Sequence, residues 1–145
     1  METENNKKPY LHNAKYYETD QMGIVHHSNY IRWMEDARMD LMRQFGISYK
    51  DMEDNGIISP VVSVSCQYKS MVHFGDTIEI LAKAVKYNGV RFDLEYEMRD
   101  AKTGELRTTA ASTHCFLDRE GQILSLKHTC PEIDKLFRKM LVQDK

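Results

Sequence analysis

Apolar residues change their period along this chain, and each period predicts an element. Between residues 30 and 45, Tyr30, Trp33, Met34, Ala37, Leu41 and Phe45 recur at helical spacing, while Arg32, Glu35, Asp36, Asp40 and Arg43 fall on other faces. This is one long amphipathic helix. Ser28 or Asn29 can cap its start, and Gly46 stands where a C-terminal glycine stop belongs. Residues 47–56 are polar and read as a short helical turn plus loop. The period then drops to two. Val62, Val64, Cys66 and Tyr68 alternate with Ser63, Ser65, Gln67 and Lys69, and Ile78, Ile80, Ala82 and Ala84 alternate with Thr77, Glu79, Leu81 and Lys83. Asn88-Gly89 marks a hairpin, since both residues tolerate positive φ. Phe92, Leu94, Tyr96 and Met98 form the returning strand, Lys102-Thr103-Gly104 turns the chain again, and Leu106 to Leu117 reads as a last long strand. Tyr10 to Thr19 reads as a first strand, and Pro131 to Leu141 as a closing amphipathic helix with proline in its first turn.

One long helix beside four or five antiparallel strands, most with one apolar face, implies an α+β fold in which a curved sheet wraps that helix. Residues 10–145 are expected to form a single domain behind a short disordered tail over residues 1–9. There is no internal repeat, low-complexity tract or linker. Open sheet edges favour pairing with a second copy.

Composition narrows the function classes. A chain of 145 residues with 41% hydrophobic and 29% charged residues can bury a core and stay soluble. A net charge of -2 argues against a general nucleic-acid binder. No apolar run reaches the roughly 20 residues of a membrane span, and the polar start METENNKK has no signal-peptide core. Cys66, Cys115 and Cys130 are odd in number and scattered, the pattern of free thiols in a reducing compartment, so the expected setting is cytoplasmic. Neither a zinc-type Cys/His spacing nor a GxxxxGK or GxGxxG loop occurs, so no metal and no nucleotide cofactor is expected.

The chemistry concentrates between Tyr17 and Gly46, where Asp20 sits in a glycine-containing loop immediately before the long helix. A helix start carries unpaired N–H groups and partial positive charge. A carboxylate facing it supplies a nucleophile or base opposite an oxyanion site, the two halves of an acyl-transfer centre.

The same segment resembles the active-site region of the hotdog-fold acyl-CoA thioesterases, the 4-hydroxybenzoyl-CoA thioesterase and YbgC-like group. The points of match are Asp20, Gly23, Val25, His26-His27, Asn29-Tyr30 and the Glu35/Ala37/Arg38 set. The resemblance implies that Asp20 attacks the thioester or activates the water that does, and both routes stay open. It implies that the His27 amide polarises the thioester carbonyl, and that the His27 ring could bond to Asp20 or to substrate. Gly23, His26 and Tyr30 become substrate-binding candidates. Gly23 would let the loop pass close to the acyl carbonyl, His26 would pack at a subunit interface, and Tyr30 would line the core or the acyl pocket. Asp20 itself is expected against a mostly apolar pocket. Partners implied are acyl-CoA, or a carrier-protein thioester, and further copies of the chain as homodimer or homotetramer with the site at the dimer interface.

Other residues read more plainly. Glu35 and Arg32 are expected as a short-range helix pair. Lys69, Arg91 and Arg99 could contact CoA phosphates. His73-Phe74-Gly75-Asp76 resembles the family's turn into the second main strand, but Ser70-Met71 replaces the proline and small residue common there, which leaves the local pocket shape open. Two rival functions remain at this level. A hotdog enoyl-CoA hydratase would use Asp20 with a histidine, although Gln21-Met22-Gly23 does not supply the usual Asn-Pro. A non-catalytic acyl-thioester binding protein would keep the fold without turnover.

Overall fold

The computed structural model describes residues 8–141; all but Lys8 and Pro9 of the expected tail lies outside them. The long helix, α1, runs Ser28–Gln44 and buries Tyr30, Trp33, Met34, Ala37, Leu41 and Met42. Its cap differs from expectation. His27 is the N-cap residue and makes no side-chain cap bond. Ser28 is already helical, and its N–H donates to Nδ1 of the His26 ring at 3.2 Å. Asn29 turns its amide elsewhere, donating to the Glu18 backbone carbonyl at 2.9 Å. At the other end Gly46 adopts φ +86, and Ile47 N–H returns to Met42 O at 3.0 Å. This is the left-handed stop that glycine permits.

Strands β1 (Tyr10–Asn13), β2 (Val61–Tyr68), β3 (Thr77–Tyr87), β4 (Arg91–Asp100) and β5 (Leu106–Cys115) form one antiparallel sheet in the order β1-β3-β4-β5-β2. The first strand is shorter than Tyr10 to Thr19, because the chain breaks into a 3-10 turn at Tyr16–Glu18. The last ends at Cys115 rather than Leu117; Leu117 makes isolated bridges to Ile58 and Ile123 instead. The β3–β4 hairpin turns at Asn88-Gly89, yet only Gly89 takes a positive φ (+94). Asn88 works through its side chain, whose oxygen accepts from Val90 N–H at 2.9 Å and Arg91 N–H at 2.8 Å. The short helix α2 is Tyr49–Asp54, capped by Ser48, whose hydroxyl accepts from Asp51 N–H at 3.0 Å. After β5 come α3 (Leu126–Thr129) and α4 (Pro131–Met140).

The inner faces of β3 and β4 carry the expected alternation, burying Ile78, Ile80, Ala82 and Ala84 on one and Phe92, Leu94, Tyr96 and Met98 on the other. Trp33 of α1 is fully buried in the same core. At one end α4 buries Phe137 against Phe92, with ring centroids 4.9 Å apart. The inner row of β5 is different in kind: Thr108, Ala110, Ser112 and His114 are small or polar and buried. Small side chains there leave room between α1 and the sheet. Beyond β5 lies the edge strand β2, which alternates as expected but buries neither face. Val62 is 58% exposed and Tyr68 50%, and among the described residues no strand flanks β2 on its outer side.

Candidate functional site

The chain from β1 to α1 is held against the helix by one buried carboxylate that the sequence reading passed over. Glu18 accepts from His12 Nε2 at 3.0 Å, Lys15 N–H at 2.8 Å and Trp33 Nε1 at 3.0 Å. Its backbone carbonyl accepts from His26 N–H at 2.8 Å and the Asn29 amide at 2.9 Å. Burial pushes this carboxyl upward, and the bonds from His12, Lys15 and Trp33 outweigh that, leaving it below its ordinary value. Glu18 therefore ties the turn before Asp20 to the first turns of α1. The only sequence signal was a glutamate two residues before Asp20, with a histidine and the sole tryptophan free to reach it.

Asp20 opens a small hairpin closed by the Thr19–Val25 bridge and by Asp20 N–H donating to Ile24 O at 2.8 Å. Its Oδ1 accepts from Met22 N–H at 2.8 Å and Ile24 N–H at 3.2 Å. Its other oxygen has no partner among the described residues. The residue is exposed, so the expected apolar surroundings are not provided by its own chain. Gly23 takes φ +77, and an added Cβ would meet nothing within 4 Å. Backbone conformation, not crowding, requires glycine there.

The start of α1 faces a cavity of about 310 Å³ lined by His27, Tyr30, Tyr68, Lys69 and Met71, with Ile24 and Val25 from the Asp20 hairpin. The His27 N–H has no acceptor among the described residues. It therefore offers a free donor at the positive end of a 17-residue helix. Tyr30 is buried and meets Tyr68 edge-on, centroids 4.9 Å apart. The structure thus brings His27 and Tyr30 to the cavity, with Asp20 and Gly23 on the hairpin that forms part of its wall. His26 does not line it. The His26 ring is exposed, stacks on the His27 ring at 4.2 Å, and is engaged with Ser28. Of the three basic candidates only Lys69 reaches the cavity. Arg91 pairs with Asp93 and Arg99 with Glu97. On the helix Glu35 pairs with Arg38, not Arg32. Among the described residues no group of three or more His, Cys, Asp or Glu side chains converges to hold a metal ion.

A carboxylate with one free oxygen, an apolar-walled cavity and an unpaired helix-start N–H are the parts needed to attack an acyl carbon and hold the charge that develops on its oxygen. Residues 15–142 match the thioesterase-like superfamily. The chain belongs to that family. It has the family's hotdog fold, in which the sheet wraps a central helix, and the family's chemistry is thioester hydrolysis. The chain is 42% identical over 107 residues to the putative acyl-CoA thioesterase YneP of Bacillus subtilis, covering 74% of this chain and 77% of that one. It is 31% identical to a putative esterase of Aquifex aeolicus, covering 87% of this chain and 96% of the other. Among solved structures, the DHNA-CoA thioesterase of Staphylococcus aureus superposes with a TM-score of 0.86 at 32% identity, covering 91% of this chain and 89% of that one.

Proposed function

We propose that this thioesterase hydrolyses acyl-CoA, with Asp20 as nucleophile or general base and the His27 N–H as oxyanion donor. The observation that carries this reading is the unpaired His27 N–H at the cavity mouth, beside the hairpin that presents Asp20. By the general-base route, Asp20 takes a proton from water as the hydroxide oxygen bonds to the acyl carbon. By the nucleophilic route, an Asp20 oxygen bonds to that carbon, the C–S bond breaks to release the CoA thiolate and leave an acyl-aspartyl anhydride, and water then cleaves the anhydride. Either way the carbonyl oxygen becomes negative and the His27 N–H donates to it. The C–S bond breaks from that state, and the CoA thiolate leaves and takes a proton. No cofactor enters either route. Lys69 at the cavity is placed to meet negative charge on the CoA moiety. The test is a screen of purified protein against short, medium, long and aromatic acyl-CoAs, reading released thiol. Release from at least one class is expected, and a folded protein that binds acyl-CoA but releases none across all classes overturns the reading.

The reading includes a homodimer, which can double into a tetramer, in a cytoplasmic setting. Its support is β2: an edge strand with unpaired backbone on its outer side and Val61, Val62, Val64 and Tyr68 exposed beside it. Two copies joined along β2 would extend the sheet, cover these residues and enclose the cavity at the start of α1. Light scattering at micromolar protein should give at least a dimeric mass. A fully active monomer is the contrary result.

A further inference from the structure

Asn29 carries part of the family likeness, yet it neither caps α1 nor lines the cavity. It sits in the first turn of the helix and is 8% exposed. Its amide nitrogen donates to the Glu18 carbonyl at 2.9 Å and to the His26 carbonyl at 3.4 Å. Both partners are carbonyl oxygens, so the nitrogen end of the amide faces them, and its two N–H groups suffice for one each. Neither bond is needed to satisfy those carbonyls. Glu18 O already accepts from His26 N–H at 2.8 Å, and His26 O from Asn29 N–H at 3.0 Å. The side chain adds a second hold on two backbone groups that the fold has already paired.

What it adds is direction. The His26 carbonyl and the His27 N–H belong to one peptide group. That group is planar and trans, so its N–H points opposite to its C=O. Whatever fixes the His26 carbonyl therefore aims the His27 N–H. Asn29 holds that carbonyl with its own N–H and its side-chain amide, and the N–H on the far side of the peptide is the unpaired donor at the cavity. The Glu18 carbonyl stands at the other end of the site. Thr19 follows it and forms the bridge to Val25 that closes the Asp20 hairpin. One buried side chain thus clasps the base of the hairpin and the peptide that carries the oxyanion donor.

We propose that Asn29 is a positioning residue for thioester hydrolysis, aiming the His27 N–H at the acyl oxygen and holding it in register with Asp20. The proposal rests on the thioesterase reading above and adds the group that orients its donor. Asn29 acts through the peptide, without touching the substrate. An oxyanion donor stabilises most when its direction is set before the charge develops. The first N–H groups of a helix have no preceding turn to restrain them, so a side-chain clasp matters there more than at any later position.

The experiment is a double-mutant cycle on kcat and KM for the acyl-CoA that wild type cleaves best, using Asn29→Ala, His27→Pro and the two combined. Alanine suits a helix and donates nothing from its side chain. In Asn29→Ala kcat should fall about tenfold or more, short of the loss of about 10²–10³-fold on removing an oxyanion donor. KM should stay near wild type, because Asn29 does not line the cavity. In the His27→Pro background the donor is gone, and adding Asn29→Ala should change kcat by less than about threefold, since nothing is left to aim. A merely structural role would lower kcat by the same factor in both backgrounds, and that result overturns the proposal. A wild-type kcat in Asn29→Ala overturns it too. Should Asn29→Ala fail to fold, the near-isosteric Asn29→Asp, whose ionised carboxylate cannot donate, decides by the same cycle. Loss of the fold in both makes Asn29 a structural residue and overturns the proposal as well. No thiol release by wild type from any acyl-CoA class overturns the thioesterase reading itself, before any variant is made.

Discussion

Replacing Asp20 with asparagine should lower kcat for thioester hydrolysis by about 10²–10⁴-fold, the range for loss of a general base. The amide cannot attack a thioester as a carboxylate does, nor take a proton from water. Its oxygen can still accept from Met22 and Ile24 N–H, the two bonds that Asp20 Oδ1 makes now. The hairpin should therefore persist, and KM should change much less than kcat because the cavity walls are untouched. Melting temperature should move little. A rise, which an apolar site would give on losing a buried charge, is not expected, since Asp20 is exposed in its own chain. Paired kinetics and thermal melts of the two proteins are the measurement. Near wild-type hydrolysis by Asp20→Asn, with the fold intact, would remove Asp20 from the mechanism.

How much of this was legible in the sequence depended on whether the signal was local. The α1 stripe and the alternating rows of β3 and β4 could be read because the side chains that bury themselves also set the period. β5 was found by its turns, but its inner row of Thr108, Ala110, Ser112 and His114 has no apolar signature. Nothing in that run marks it as the buried face of the strand. β2 alternates correctly and yet stays exposed, because alternation reports a face that could be buried and not the neighbour that would bury it. Capping failed for a related reason. Serine and asparagine are common caps, but here the His26 ring takes the Ser28 N–H, and Asn29 is drawn to the Glu18 carbonyl eleven residues back.

The site divides the same way. Asp20, Gly23 and His27 could be placed because their spacing within one short segment carries the family likeness. Glu18 could not, although it bonds His12, Lys15 and Trp33, because those partners come together only when β1 and α1 pack. Removing the Glu18 carboxylate would leave the buried Trp33 N–H unsatisfied, at about 1–3 kcal/mol. Glu18 thereby joins the turn before Asp20 to both β1 and α1.

The second large effect expected is at His27, where ring and main chain can be separated. The ring is exposed and stacked on His26, while the N–H stands unpaired at the cavity. His27→Ala keeps the N–H and should retain most activity. His27→Pro removes that donor. The residue's φ of -58 already lies in the range proline fixes, and its N–H makes no bond that the fold would lose. Proline there should preserve α1, as judged by circular dichroism and melting. Its kcat should fall by about 10²–10³-fold, the loss of roughly 2.7–4 kcal/mol that follows removal of one oxyanion donor. The two variants thus predict opposite outcomes from one position. A His27→Pro enzyme as active as His27→Ala would place the oxyanion donor elsewhere. If His27→Ala falls as far as Asp20→Asn, the imidazole itself takes part in the chemistry. The expected order of kcat is wild type close to His27→Ala, then His27→Pro and Asp20→Asn far below. That order assigns the carbonyl's polarisation to backbone geometry, which the hairpin and Glu18 hold in place, and the attack to a single carboxylate.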